Sequence, residues 1–182
     1  LHYSPWSEKA RFALDHHHVV YREQAHVPML GEPLLRLRTR RPFGKVSVPI
    51  LFYSHEIFEG SYAIARHAEA IGSGDTLFPG DQLDAIRTWN DRSDAIMEAG
   101  RPLVVLKTLR SPDALREGLP SFVPGPLRSI SVPVAKLGAH FLARKYGADL
   151  GAEDRYRETI AKTLEILRDG LRPSPPYLLG KF

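Results

Sequence analysis

Two serine hydroxyls, Ser4 and Ser7, lie where the sequence predicts the start of a helix. Ser4 suits the N-cap, and Pro5 suits the first helical position because its missing N–H would have no partner there. Glu8 is favoured by the positive end of the helix dipole. The same end of a helix attracts anions, so a hydroxyl placed there can help to hold negative charge. This chemistry needs no general base.

A second predicted helix start offers the same kind of chemistry. Ser61 is the predicted N-cap of this helix, whose buried stripe is formed by Ile64, Ala68 and Ile71. The helix that follows Ser4 has an apolar face of its own, formed by Trp6, Ala10, Ala13, Leu14 and His17. This first face is expected to pack on a sheet.

Strands are predicted around the first helix and ahead of the second. Residues 1–3 and 19–23 flank the first helix, and a strand–helix–strand unit implies parallel pairing. Apolar residues then alternate at Val46, Val48, Ile50 and Phe52, which is typical of a strand. Pro49 belongs at the edge or the start of such a strand. Residues 52–58 are predicted to form a hairpin.

The residues from Ser4 to Leu14 read Ser-Pro-aromatic-x-x-Lys-x-Arg followed by Phe-Ala-Leu, which resembles the opening of serine-type and cysteine-type glutathione transferases. Val48-Pro49-x-Leu and Ser61-x-Ala-Ile are similar to two later motifs of that family. The resemblance implies a thioredoxin-like α/β domain over residues 1–72 and a linker over 73–82. It also implies an all-α C-terminal domain over 83–182 that is incomplete relative to the family.

The reaction implied by this resemblance is conjugation of the glutathione thiolate to an electrophilic apolar small molecule. Glutathione is then a substrate, and no metal is involved. In the family, a serine or cysteine at the first helix start faces the sulfur. The Ser-Pro-x-x-x-Lys-x-Arg pattern places Ser4 there, whereas counting without a gap from Leu1 favours Ser7. Ser4 is the preferred assignment.

Two contacts with the middle of glutathione follow from the same resemblance. The backbone of Val48 would pair with the cysteinyl part, beside a cis peptide bond before Pro49. Lys45 is the counterpart of the lysine in the family's Gly-Lys-Val-Pro pattern. In this chain Val46, Ser47 and Val48 separate Lys45 from Pro49, two residues more than in that pattern.

The γ-glutamyl end of glutathione would meet the second helix start. Ser61 and the first backbone amides would hold its carboxylate, since a helix start favours an anion. Gly60 stands where the family has an acidic residue or glutamine for the γ-glutamyl amino group, and Glu59 lies one place early. A carboxylate would have to come from Glu59 or from a partner subunit.

The second substrate is expected near Trp89, Met97 or a loop over residues 118–126, although core packing is the simpler role for these two side chains. A homodimer is expected because the family usually forms one. Two alternatives stay open. One is a non-catalytic binding or scaffold protein with the transferase fold. The other is a glutathione-dependent isomerase or dehalogenase.

Composition excludes several classes of site. The chain has 182 residues and no cysteine, which rules out disulfides, thiolate metal sites and dithiol redox chemistry. Neighbouring residues on a helix point about 100° apart, so the histidines at 16–18 cannot share one metal ion. The net charge of +4 is partly local to Arg36, Arg38, Arg40 and Arg41. No aromatic residues interleave with that run, so nucleic-acid binding is not expected.

The distribution of apolar residues is ordinary for a soluble globular protein, with 43% hydrophobic and 25% charged residues. No apolar run reaches the length of about eighteen residues that a membrane span needs. No basic region followed by an apolar one opens the chain, so no signal peptide is predicted. We therefore expect a cytoplasmic location and no membrane partner.

Overall fold

The chain divides into two compact units, Leu1–Asp84 and Ala85–Phe182. The computed structural model describes residues 4–119, 124, 132–149, 151–172 and 177–179. Within these ranges the first unit combines helices with a small sheet, and the second is helical. The structure is thus mixed α/β and mostly helical. The division lies just after the predicted linker over residues 73–82.

The first unit contains three helices and one hairpin in its described part. The helices are α1 (Pro5–His16), α2 (Glu32–Thr39) and α3 (Ser61–Ile71). The strands β1 (Ile50–Tyr53) and β2 (Glu56–Glu59) pair antiparallel, from Ile50 opposite Glu59 to Tyr53 opposite Glu56. The predicted hairpin is confirmed.

The two faces of the hairpin have different neighbours. Leu51 and Phe58 lie opposite each other and pack on the core formed with α1 and α3. Phe52 projects from the other face, where the guanidinium carbon of Arg38 in α2 lies 4.2 Å from its ring centroid. Strand residues alternate in this way because successive side chains point to opposite faces.

The predicted parallel pairing is not observed among the described residues. Residues 19–23 form no strand, and Val20 is 99% exposed. Their predicted partner, residues 1–3, lies outside the described part of the chain. A strand needs backbone hydrogen bonds to a neighbouring strand, so an apolar β-branched pair such as Val19-Val20 is not sufficient to form one. The alternating stretch also becomes a strand only from Ile50 onward.

The described part of the second unit contains four helices. These are α4 (Leu83–Arg110), which begins at the end of the first unit, α5 (Pro112–Glu117), α6 (Val132–Lys145) and α7 (Glu153–Leu171). Pro102 lies inside α4, is buried and does not end the helix. Among the described helices, none is long and apolar enough to cross a membrane.

Candidate functional site

The pairing of α1 with α3 organises the first unit. The backbone N–H of Ser73, just after α3, donates to the carbonyl of His17, just after α1, over 2.9 Å. The two helices pack against each other through one buried cluster that contains Ala10, Ala13, Leu14, Ile64 and Ala68. Because their C-terminal ends meet, the helices run in the same direction. Their first turns therefore lie at the same end of the pair.

Ser4 is the N-cap of α1, as predicted, with extended backbone angles of φ −77° and ψ 116°. Its carbonyl accepts a 3.0 Å hydrogen bond from the N–H of Glu8. Its hydroxyl makes no capping hydrogen bond, although capping is the usual use of a serine at this position. The hydroxyl of half-buried Ser4 is thus not used by the helix. Ser7, the third residue of α1, is also half-buried.

The negative charge in the first turn of α1 is compensated. Arg11 forms an ion pair with Glu8, and its Nη1 donates to Glu23 over 2.7 Å. The hydrogen bond with Glu8 is the main reason that the pKa of Arg11 is raised. Because Arg11 balances Glu8, the helix start stays favourable for an anion.

Pro49 lies beside the start of α3. The N–H of Gly60 donates to the carbonyl of Pro49 over 3.0 Å, and the Val48–Pro49 peptide bond is cis, as expected. Val48 and Pro49 are both half-buried. Since Gly60 directly precedes Ser61, this hydrogen bond brings the Val-Pro motif to the first turn of α3.

Ser61 is the first residue of α3 and is only 4% exposed, so its prediction as the N-cap is wrong. Gly60 holds that position instead, with φ 82° and ψ 153°. This conformation is essentially confined to glycine, because a Cβ there would clash with the backbone. The buried stripe of α3 is also shorter than predicted, since Ile64 and Ala68 are buried while Ile71 is 39% exposed.

Glu59 is held by a residue that the sequence reasoning did not select. Arg41 Nη1 lies 2.9 Å from both carboxylate oxygens of Glu59. Glu59 occupies the hairpin face that carries Phe52, not the face that packs on the core. The arginine run at 36–41 was the only sequence feature that could have indicated a basic partner for Glu59, and it does not indicate which arginine reaches it. Lys45 is exposed.

The proposed second-substrate residues belong to the second unit. Trp89 is half-buried in α4, and a methyl group added at Gly170 of α7 would lie 2.8 Å from its Cζ2 atom. Its indole therefore packs on α7, and Arg92 lies 4.5 Å from its ring centroid. Met97 is half-buried in the same helix. Most of the predicted loop over 118–126 falls outside the described residues.

Serine hydroxyls and backbone amides at the end of the α1–α3 pair are available for ligand binding. In the part of the chain that the structure describes, no cluster of histidine and acidic side chains can hold a metal ion. What remains is two helix starts, each with a serine, and the backbone of Val48 and Pro49 beside one of them. No family model, curated protein or solved structure matches the chain.

The backbone at Gly60 leads to a testable prediction. Gly60→Ala is expected to destabilise the first unit by about 1–3 kcal/mol, because alanine is strained at this φ and ψ. Beyond the adjacent residues, a Cβ at Gly60 meets no atom within 4 Å, so a clash with another segment would not contribute. Urea unfolding measures the change in free energy.

Gly80→Ala is the matched control for Gly60→Ala. Gly80 has equally open surroundings and no positive φ. We expect its free energy of unfolding to stay within about 0.5 kcal/mol of wild type. Equal effects of the two substitutions would show that the conformation of Gly60 does not constrain the start of α3.

Proposed function

We propose that this chain is a glutathione transferase, which adds the glutathione thiolate to an electrophilic apolar small molecule. The observation that carries the proposal is the parallel pairing of α1 with α3. Through it, the starts of both helices, with Ser4 and Ser61, lie at one end of the first unit. The hydrogen bond from Gly60 adds Pro49 to the same end.

The role proposed for Ser4 is stabilisation of the thiolate. A free thiol has a pKa of about 8.5, so only a small fraction is ionised at neutral pH. A hydrogen bond to a charged group contributes about 1.5–3 kcal/mol, which lowers a thiol pKa by about one to two units. The hydroxyl of Ser4 makes no capping bond and can donate to sulfur. The start of α1 adds a favourable dipole.

The other residues would orient the tripeptide. The backbone of Val48, beside Pro49, would pair with the cysteinyl part, and the first amides of α3 would meet the γ-glutamyl carboxylate together with Ser61. Lys45 and Glu59 complete the proposed binding set. Trp89 and Met97 are the proposed contacts of the electrophile. A homodimer and a cytoplasmic location accompany this proposal.

A second candidate function is a non-catalytic binding or scaffold protein. It is favoured by the state of Glu59, whose carboxylate is paired with Arg41, and by Gly60, which has no side chain. The carboxylate of Glu59 is then occupied by Arg41, and Gly60 supplies none, so neither residue offers a carboxylate to the γ-glutamyl amino group. Glutathione would bind weakly or not at all.

Calorimetry with glutathione, combined with the ultraviolet absorbance of the bound thiolate against pH, separates these functions. Wild type is expected to bind glutathione and to lower its thiol pKa. Ser4→Ala is expected to raise the bound thiol pKa by about one to two units, because the thiolate loses a charge-assisted hydrogen bond. Ser7→Ala is the matched variant, one turn along the same helix, and should leave that pKa unchanged.

The reverse result, a shift with Ser7→Ala alone, would assign thiolate activation to Ser7. If neither substitution moves the pKa of bound glutathione, serine activation is wrong. If a folded wild-type chain does not bind glutathione at millimolar concentration, the transferase proposal fails and the non-catalytic function is favoured.

A further inference from the structure

The positive charge of this chain is concentrated in one surface segment. Residues 32–45 contain the acidic residue Glu32 and five basic residues, namely Arg36, Arg38, Arg40, Arg41 and Lys45. The net charge of these six residues is +4, which equals the net charge of the whole chain, so the net charge of all other residues is zero. Glu32 is only 8% exposed and pairs with Arg36 over 3.2 Å. Arg41 is paired with Glu59 outside the segment, so the exposed positive charge lies mainly on Arg38, Arg40 and Lys45.

The same segment exposes large apolar side chains. Leu34 and Leu37 lie on the outer face of α2, 52% and 76% exposed, and Leu30, in the turn before the helix, is 65% exposed. The opposite face of the helix buries Leu35 and Thr39. Because residues three apart share a helix face, Leu34 and Leu37 lie side by side on α2.

A loop held against α2 exposes an aromatic residue. Arg36 Nη1 donates to the carbonyl of Gly44 over 2.7 Å and to that of Pro42 over 3.4 Å. One side chain thus binds the backbone on both sides of Phe43, whose side chain is left 88% exposed. We call the set Leu30, Leu34, Leu37, Arg40, Phe43 and Lys45 the α2 surface.

We propose that the α2 surface binds peripherally to bilayers that contain anionic phospholipids. Leucine and phenylalanine side chains flanked by arginine and lysine are the combination that interfacial segments use, with the apolar groups inserted at the level of the headgroups. Each basic side chain near an anionic surface adds attraction, and its long stem reaches the headgroups. A side chain exposed to 88%, as Phe43 is, protrudes rather than lining a groove.

Protrusion decides between a bilayer and an acidic peptide. A helical or extended peptide would need a concave apolar site for its own anchors, whereas the leucines and Phe43 stand out from the surface. This inference departs from the expectation of no membrane partner, which concerned a spanning segment. It does not depend on glutathione binding.

Sedimentation with vesicles tests the proposal on the full chain. Wild type is expected to bind vesicles of mixed phosphatidylserine and phosphatidylcholine, but not phosphatidylcholine alone, and to dissociate at high salt. Phe43→Ala should weaken the partition coefficient about tenfold, because an inserted ring is lost. Arg40→Glu reverses one charge and should weaken it about thirtyfold.

Two substitutions outside the α2 surface serve as controls. Leu137→Ala removes a side chain that is 61% exposed in α6, and Lys107→Glu reverses an exposed charge in α4. Both should bind vesicles like wild type. Circular dichroism checks that every variant is folded before its partition coefficient is measured.

Four results would overturn the proposal. The first is the absence of wild-type binding to anionic vesicles, and the second is equal binding to neutral ones. The third is retention on polyglutamate beads but not on vesicles, with Phe43 required, which would identify an acidic protein as the partner. The fourth is a dimer in light scattering that Phe43→Ala converts to a monomer, because the α2 surface would then be a contact between copies.

Discussion

Gly72→Ala is expected to destabilise the first unit by about 3 kcal/mol, because overpacking at a closed contact forces the backbone to move. A Cβ at Gly72 would lie 2.3 Å from the carbonyl oxygen of His17 and 2.7 Å from its Cβ. Neither atom can rotate away, since both belong to the backbone or are attached to it directly. The two helices would have to separate at the point where Ser73 bonds to His17.

Fluorescence of Trp6 during urea unfolding measures this effect in the first unit. The only other tryptophan is Trp89, so a Trp89→Phe background leaves Trp6 as the sole reporter. Gly80→Ala is again the control, because a Cβ there meets nothing within 4 Å.

A midpoint for Gly72→Ala equal to that of Gly80→Ala would contradict the close approach of the two helix ends. Glutathione affinity of the folded variant adds a second readout. It should fall if the α1–α3 pairing positions the two helix starts.

Ile64→Ala is expected to lower the free energy of unfolding of the first unit by about 2–5 kcal/mol, the range for a buried aliphatic side chain cut back to alanine. Ile64 is 2% exposed and packs with Ala10, Ala13, Leu14 and Ala68. Three of these four neighbours are alanines with no side-chain rotamers, so they cannot turn to fill the cavity. The same Trp6 fluorescence reports the change.

A graded series tests the cause of that loss. Ile64→Val removes one methyl group and should cost about 0.5–1.5 kcal/mol. Leu37→Ala removes a larger group from the same unit, but Leu37 is 76% exposed, so the expected change is within about 0.5 kcal/mol. A loss with Leu37→Ala as large as that with Ile64→Ala would mean that burial does not govern the stability of this unit.

The fold follows the sequence closely where local chemistry decides the outcome. Helix α1 begins at Pro5, directly after the predicted cap Ser4. Helix α7 carries apolar residues at helical spacing, namely Tyr156, Ile160, Leu164, Leu167 and Leu171. Apolar periodicity and the cap-plus-proline starts suffice for such elements. Residues 19–23 failed as a strand because pairing depends on a second segment.

The candidate site was predictable only in part. The cis bond before Pro49 agrees with the resemblance, and Ser4 is the N-cap as its residue type predicts. Ser61 was displaced from its cap by Gly60, because the chain enters α3 through a backbone conformation that glycine allows. The pairing of Glu59 with Arg41 joins residues far apart in the chain, so no local pattern could select it.

The sequence by itself determined that α1 begins after Ser4 and that residues 32–45 are strongly basic, because these features depend on neighbouring residues alone. Only the tertiary structure decided that α1 and α3 run in the same direction, that Glu59 is paired and that Leu37 and Phe43 stay exposed. Those outcomes depend on contacts between distant segments. Those contacts, and the stabilisation they provide, form only when the chain folds.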